Sequence, residues 1–185
     1  LYGYTPRWPE VPHHLGGYPI RITLKQSTSD GESASSDSSR TKGTAHTPTE
    51  SSDSTTAWKR LFDGKTLDNW QVADEGKFRE HGEVKIDQGR MVLSVGNPGT
   101  GVRWAGQFPK SNYEITLDAM KVEGDDFFCG LTFPVGEDFC TLIVGGWGGK
   151  VIGLSNIDGK PANQNQTTKH RSFETDRWYS LRVRI

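Results

Sequence analysis

The feature that most constrains this chain is an apolar residue at every second position, renewed in one short segment after another. In the segment from Tyr113 to Ala119, Tyr113, Ile115, Leu117 and Ala119 alternate with Glu114, Thr116 and Asp118. A period of two puts the apolar set on one face of a β-strand and the polar set on the other. Val84 and Ile86, then Met91, Leu93 and Val95, alternate about the turn DQG. FFCGLTF, FCTLIVGG, KVIGLSNID and RWYSLRVRI follow, separated by Gly, Pro and Asp turns. No window of ten or more residues carries a helical apolar stripe. Many short strands with one face to bury predict an all-β fold, an antiparallel β-sandwich or jelly roll.

That pattern occupies only part of the chain. From Gln26 to Thr56, seventeen of thirty-one residues are Ser or Thr, and the only apolar side chains are Ala34 and Ala45. Such a segment buries too little to offset the entropy of ordering it, so residues 26–56 are expected to be a disordered linker. Residues 1–25 are rich in aromatics and proline and end in the strand-like PIRITL; they read as the tail of a preceding, covalently linked domain. The compact part is residues 57–185. Its alternation is still running at Ile185, so further strands are expected to follow.

Charge and composition narrow the partners. The compact part carries seventeen Lys and Arg against seventeen Asp and Glu, which provides no basic field for nucleic acid. No apolar run approaches the length of a membrane-spanning helix, and the N-terminus lacks the layout of a signal peptide. An extracytoplasmic location is compatible with the segment. The two cysteines, Cys129 and Cys140, have neither a CxxC nor a zinc-site spacing. They flank the turn PVGED. A register facing Phe133 with Phe139 would put Cys129 opposite Ile143 and Cys140 opposite Thr132, too far apart for a disulfide. Both are expected to be buried thiols.

Few residues suggest chemistry. GGWGGK is not a phosphate loop, because Val144 stands where the first glycine is needed and Val151 follows the lysine. Its glycines allow a tight turn carrying Trp147, either packed into the core or offered as a flat platform for a sugar ring. A pair of carboxylates on one strand, as ordinary glycoside hydrolysis needs, is missing. Asp125, Asp126 and Glu137 fall at strand ends, where they are solvated turn residues or, for Asp125 and Asp126, part of a site for a hard divalent metal ion such as Ca²⁺. His170, in the loop NQNQTTKHRSFETDR, is a candidate general base or a solvated histidine. Arg103 either holds a sugar hydroxyl or carboxylate or lies on a strand's outward face. Asn165-Gln166-Thr167 matches a glycosylation acceptor.

The stretch WKRLFDGKTLDNWQV resembles the opening of the 3-keto-disaccharide hydrolase domain family, with its Trp, Leu-Phe-Asp-Gly, Leu and second Trp. EVKIDQGRMVLSV, SNYEITLDAMKV and RWYSLRVRI extend the similarity across residues 57–185. The resemblance implies a concanavalin A-like jelly roll, with Trp58, Leu61, Phe62, Leu67 and Trp70 anchoring its core and Asp63 and Asp68 shaping turns. It also implies a carbohydrate substrate whose C3 is a ketone. Such a ketone acidifies the C2 hydrogen, so cleavage can proceed by elimination and water addition, with a base and an electrophile such as a bound metal. Asp125, Asp126, Glu137 and His170 are then the catalytic candidates, and Trp147 and Arg103 the substrate-binding ones. Many members carry Ser-Gly-Ile-x-x-Arg and Glu-x-Gln strands, whereas this chain has FFCGLTFP and FCTLIVGGWGG there, with Pro134 in the place of Arg and Thr141 near that of the acid. A non-catalytic carbohydrate-binding, lectin-like module is therefore the alternative function, and a structural sandwich mediating protein contacts a third.

Overall fold

The structure, a computed structural model, describes residues 18–26 and 57–185. Twelve strands form three antiparallel sheets among the described residues. The largest contains β1 (Tyr18–Gln26), β2 (Ala57–Arg60), β4 (Val84–Asp87), β5 (Arg90–Leu93), β7 (Tyr113–Met120) and β12 (Trp178–Arg184). Its order is β12-β7-β1-β5-β4, with β2 also paired to β1. The second sheet has the order β11-β10-β9-β8 and is built from β8 (Cys129–Val135), β9 (Asp138–Gly145), β10 (Val151–Ser155) and β11 (Lys169–His170). A short ribbon pairs β3 (Trp70–Val72) with β6 (Val102–Trp104).

The period of two decides which faces meet. Tyr113, Ile115, Leu117 and Ala119 of β7 and Tyr179 of β12 join Cys129 and Phe133 of β8, Val144 of β9 and the neighbouring Phe128 in one buried cluster. The two large sheets thus pack face to face as a sandwich, and a side chain as fully buried as Phe128 contributes roughly 1.5–3 kcal/mol by leaving water. The polar set of β7 lies on the outer face of the first sheet. There Arg182 Nη2 and Arg184 Nε donate to Glu114 at 2.7 and 3.1 Å, and Ser180 Oγ donates to Asp118 at 2.6 Å. The two guanidiniums, Arg182 first, hold the Glu114 carboxyl below its ordinary range. Glu114 is thereby paired with two guanidiniums on that face.

The entry segment is anchored as expected at most positions. Leu61 and Phe62 are buried, Leu67 and Trp70 pack against buried clusters, and the Trp70 indole donates to Leu61 O at 3.0 Å. The Lys65 and Thr66 N–H groups donate to Asp63 Oδ1 at 2.7 and 2.9 Å, closing the turn. Trp58 departs from the expectation: it lies on β2, which pairs only with β1, and stays 47% exposed. PIRITL lies within β1, between β7 on one side and β5 and β2 on the other. Residues 18–25, read from the sequence as belonging to a preceding domain, thus share a sheet with the compact part. The rest of that expected tail, and the linker over 27–56, lie outside the described residues.

The cysteine-bearing hairpin is shifted by one residue from the expected register. Phe133 faces Cys140, Pro134 faces Phe139 and Cys129 faces Val144. The cause is the loop: Val135 pairs with Asp138, leaving only Gly136 and Glu137 between them, with Gly136 at φ +61°. A two-residue loop with a left-handed first residue is the connection that matches the twist of paired strands. Both cysteines are free, Cys129 buried and Cys140 half-buried.

Candidate functional site

The outer face of the four-stranded sheet is the candidate site. Register partners in an antiparallel sheet share a face. Thr132, Thr141 and Ser155 therefore form one row across it, Gly130, Ile143 and Gly153 the next, and Val151 with His170 lie beyond. These rows run between the β8–β9 hairpin at one end and the Gly146–Gly149 turn at the other.

At the turn end the backbone is left-handed at Gly145, Trp147, Gly148 and Gly149, with φ of +69°, +48°, +81° and +78°. Glycine is required at Gly149, where a Cβ would stand 2.2 Å from the Asp125 carbonyl oxygen. The Asp125 backbone thereby touches the turn that carries Trp147. Trp147 is half-buried, and its ring lies 4.8 Å from that of Phe127, which belongs to a small cluster with Ile143, Val151 and Ala162. The indole therefore packs against that cluster while remaining partly exposed.

His170 is exposed on β11 and shares its face with Val151, one member of the cluster under Trp147. Asp126 is 4% exposed, and its Oδ1 accepts from the Phe127 N–H at 2.9 Å. That bond fixes the residue on which Trp147 rests. Asp125 is exposed beside it. The structure thus brings Asp125, Asp126, Trp147 and His170 to one end of the sheet. Glu137 lies at the other end, at the hairpin tip, where it accepts from Lys110 Nζ at 2.7 Å. Arg103 lies on neither end: on β6 its Nε donates to the Gln71 side-chain oxygen on β3 at 2.9 Å. Among the described residues no group of three His, Cys, Asp or Glu side chains is placed to hold a metal ion.

A loop over residues 156–168 covers the middle of the face. A Cβ on Gly153 would stand 2.9 Å from Ala162 O, so the loop lies directly on the strand. Asn165 holds it there: its Nδ2 donates to Leu154 O, Pro161 O and Lys160 O at 2.8, 2.9 and 3.1 Å, and its Oδ1 accepts from the Thr167 N–H and hydroxyl at 2.9 and 2.6 Å. The residue that sequence marks as a glycan acceptor is a structural clasp.

Pro134 and Thr141, where the sequence departs from the family's polar pattern, both point to this face. Sequence reasoning missed Phe127 and Phe139. Phe127 carried no signal, because its partner Trp147 is twenty residues away in the chain. Phe139 was legible as apolar, but its face depended on the register of the hairpin.

A family model described as the 3-keto-alpha-glucoside-1,2-lyase-like domain matches residues 57–185. No curated protein and no solved structure matches the chain.

Proposed function

The chain belongs to the 3-keto-alpha-glucoside-1,2-lyase-like domain family over residues 57–185, and from that premise we propose that it cleaves 3-keto-α-glucosides at the glycine-turn end of the four-stranded sheet. The family makes it a carbohydrate-active β domain and implies jelly-roll topology. The observation that carries the proposal is the placement of Trp147 and His170 on one end of one face, with Asp125 against the same turn. The open side of Trp147 receives the apolar C–H face of the sugar. The C3 ketone acidifies the C2 hydrogen, and the imidazole of His170 accepts that proton. The electron pair of the C2–H bond forms the C1=C2 double bond as the C1–O bond breaks, and the leaving oxygen takes its pair. The proton taken by His170 passes through solvent to this oxygen; water added across C1=C2 completes net hydrolysis. Asp126 holds Phe127 under Trp147, and Glu137 takes no step. No step runs through a metal.

The test is to incubate the chain with 3-keto-trehalose and, separately, with unoxidised trehalose, and to follow products by mass spectrometry. Cleavage of the keto sugar alone, abolished in His170→Ala with binding retained, is expected. Binding without turnover in the unmodified chain refutes the enzyme and leaves a lectin-like module. That second reading has one observation in its favour: among the described residues no group of three His, Cys, Asp or Glu side chains converges.

A further inference from the structure

The largest sheet is joined through one strand. Among the described residues β1 is the only strand paired to both halves of it: β12 and β7 lie on one side, β5 and β4 on the other, and β2 pairs with β1 alone. On the first side Ile20 to Gln26 run in register with Ala119 to Tyr113; on the second, Tyr18 to Ile20 face Leu93 to Met91 and Thr23 to Gln26 face Arg60 to Ala57. Taking β1 away leaves a slot whose walls are the backbone edges of β7 and β5. Those walls select a pattern. Ile20, Ile22 and Leu24 are in register with Ala119, Leu117 and Ile115 of the main core, and Arg21 and Lys25 with Asp118 and Glu114. Opposite charges on facing strands favour this register, and a slip of one residue would set the apolar positions against the acids. Yet β1 stands apart in the chain. The family model begins at residue 57, and residues 27–56 separate β1 from β2. Gln26 and Ala57 are themselves register partners, about 5 Å apart, so a two-residue loop would close them; thirty residues stand there instead.

We propose that the slot between β7 and β5 is a strand-acceptor site that also takes residues 18–26 of a second copy of this chain, giving a dimer in which the two copies exchange β1. Every backbone pairing of the slot is the same whether the strand comes from its own chain or from another, so the two forms differ in connectivity. The connection decides which one forms. Thirty residues extend to at most about 100 Å, and a domain the size of residues 57–185 is about 35 Å across, so the strand can reach a neighbouring slot. A strand tethered to its own domain has an effective concentration on the order of 1 mM. The single chain therefore dominates at micromolar concentration, and exchange competes where the chain folds at about 1 mM. The glycine-turn end belongs to the other sheet, so each copy in the dimer keeps it. The exchange does not depend on whether that end cleaves a sugar.

The test uses two full chains with different tags, one carrying Thr23→Cys and the other Thr116→Cys. These positions are register partners, and Thr116 belongs to the polar set of β7, so the changes avoid the core and stand at a spacing that a disulfide spans. The two chains are unfolded in urea, mixed, refolded together at about 1 mM and oxidised. A disulfide between positions 23 and 116 that joins the two tags is expected, located by peptide mass mapping, which distinguishes it from any bond to Cys129 or Cys140. Refolding at about 1 μM should lower the yield of joined chains at least tenfold. The unmodified chain should give dimer from the concentrated refolding and monomer from the dilute one, by size-exclusion light scattering. A single chain with both Thr23→Cys and Thr116→Cys should close the bond within itself in the dilute refolding, which checks that the changes leave β1 in its slot. The proposal is overturned if no such bond joins the tags at the higher concentration, if its yield is independent of concentration, or if the doubly changed chain fails to close its own bond.

Discussion

Removing the clasp at Asn165 should release the loop that covers the middle of the candidate face. Its Nδ2 has two protons facing three carbonyl oxygens, of which Leu154 O and Pro161 O are part-buried and Lys160 O is exposed. In Asn165→Ala the exposed carbonyl is resatisfied by water, while two part-buried carbonyls and the Thr167 N–H lose their partners. At about 1 kcal/mol for each net bond, more where a group stays dry, the cost is about 3 kcal/mol. That is a large fraction of the stability of an ordinary domain. Asn165→Asp tests the direction of the bonds. It keeps the acceptor for Thr167 but sets a carboxylate against carbonyl oxygens, which raises its folded-state pKa above the ordinary value. A group with a raised folded pKa stabilises below its unfolded pKa and loses that contribution as pH rises through the folded one. The deficit of Asn165→Asp relative to the unmodified chain should therefore be greatest at pH 7 and shrink toward pH 4, where the protonated carboxyl can donate one bond. Urea unfolding at both pH values measures this, and amide exchange at Leu154 and Thr167 locates it. A deficit for Asn165→Ala under 0.5 kcal/mol, on the order of a neutral surface change, would refute the clasp. Since a glycan on Nδ2 replaces one of the two protons, the folded domain should also carry no glycan at Asn165 when secreted from a glycosylating host.

Two further outcomes follow from the packing. Burial pushes the Cys129 thiol up to about 12 from 9.0, so the contribution of Cys129 to stability should be flat below pH 9 and fall by about 1.4 kcal/mol per unit above it, toward pH 12. Urea midpoints at pH 8, 9.5 and 10.5 should show this slope reduced by one proton in Cys129→Ala, and an unchanged slope would mean that Cys129 titrates freely. Gly149→Ala should destabilise far more than Gly148→Ala, because both are left-handed but only Gly149 has the Asp125 carbonyl in the space of a Cβ, and nothing lies within 4 Å of a Cβ at Gly148. The Gly148 change should cost about 1–2 kcal/mol, the conformational penalty alone; equal thermal shifts for the two would refute the contact between the turn and the Asp125 loop.

The strands were legible in the sequence wherever one face is buried, because alternation is a local property. Tyr113 to Ala119 needed only its own pattern to be placed on the core side of β7. The position of Trp58 was not legible, since its exposure depends on which strands flank β2. Nor was the place of PIRITL: a segment with strand-like composition carries no mark of the sheet it joins, and β1 meets β5 and β7 across separations that local patterning does not encode. Among the candidate site residues, Trp147 and the glycines beside it were legible as a turn. The grouping of His170 with them was not, because it comes from the pairing of β11 with β10.

The hairpin shows how one residue of loop length carries over into function. A three-residue loop, with Phe133 facing Phe139, would put Phe139, Thr141 and Ile143 on the core side and turn Cys140, Leu142 and Val144 outward. In the structure Leu142 and Val144 instead pack in the main cluster, and the loop contains only Gly136 and Glu137. A slip of one residue exchanges the two faces of a strand, so the buried Val144, the half-buried Leu142 and the left-handed Gly136 act together to hold Phe139 outward. Core packing and turn chemistry on β9 therefore select the side chains that any ligand on this face would meet. For the same reason, Pro134 and Thr141 mark that face even though neither has the charge or acid that family members place there. His170, exposed and on the same side as the cluster under Trp147, stands at the opposite end of that face.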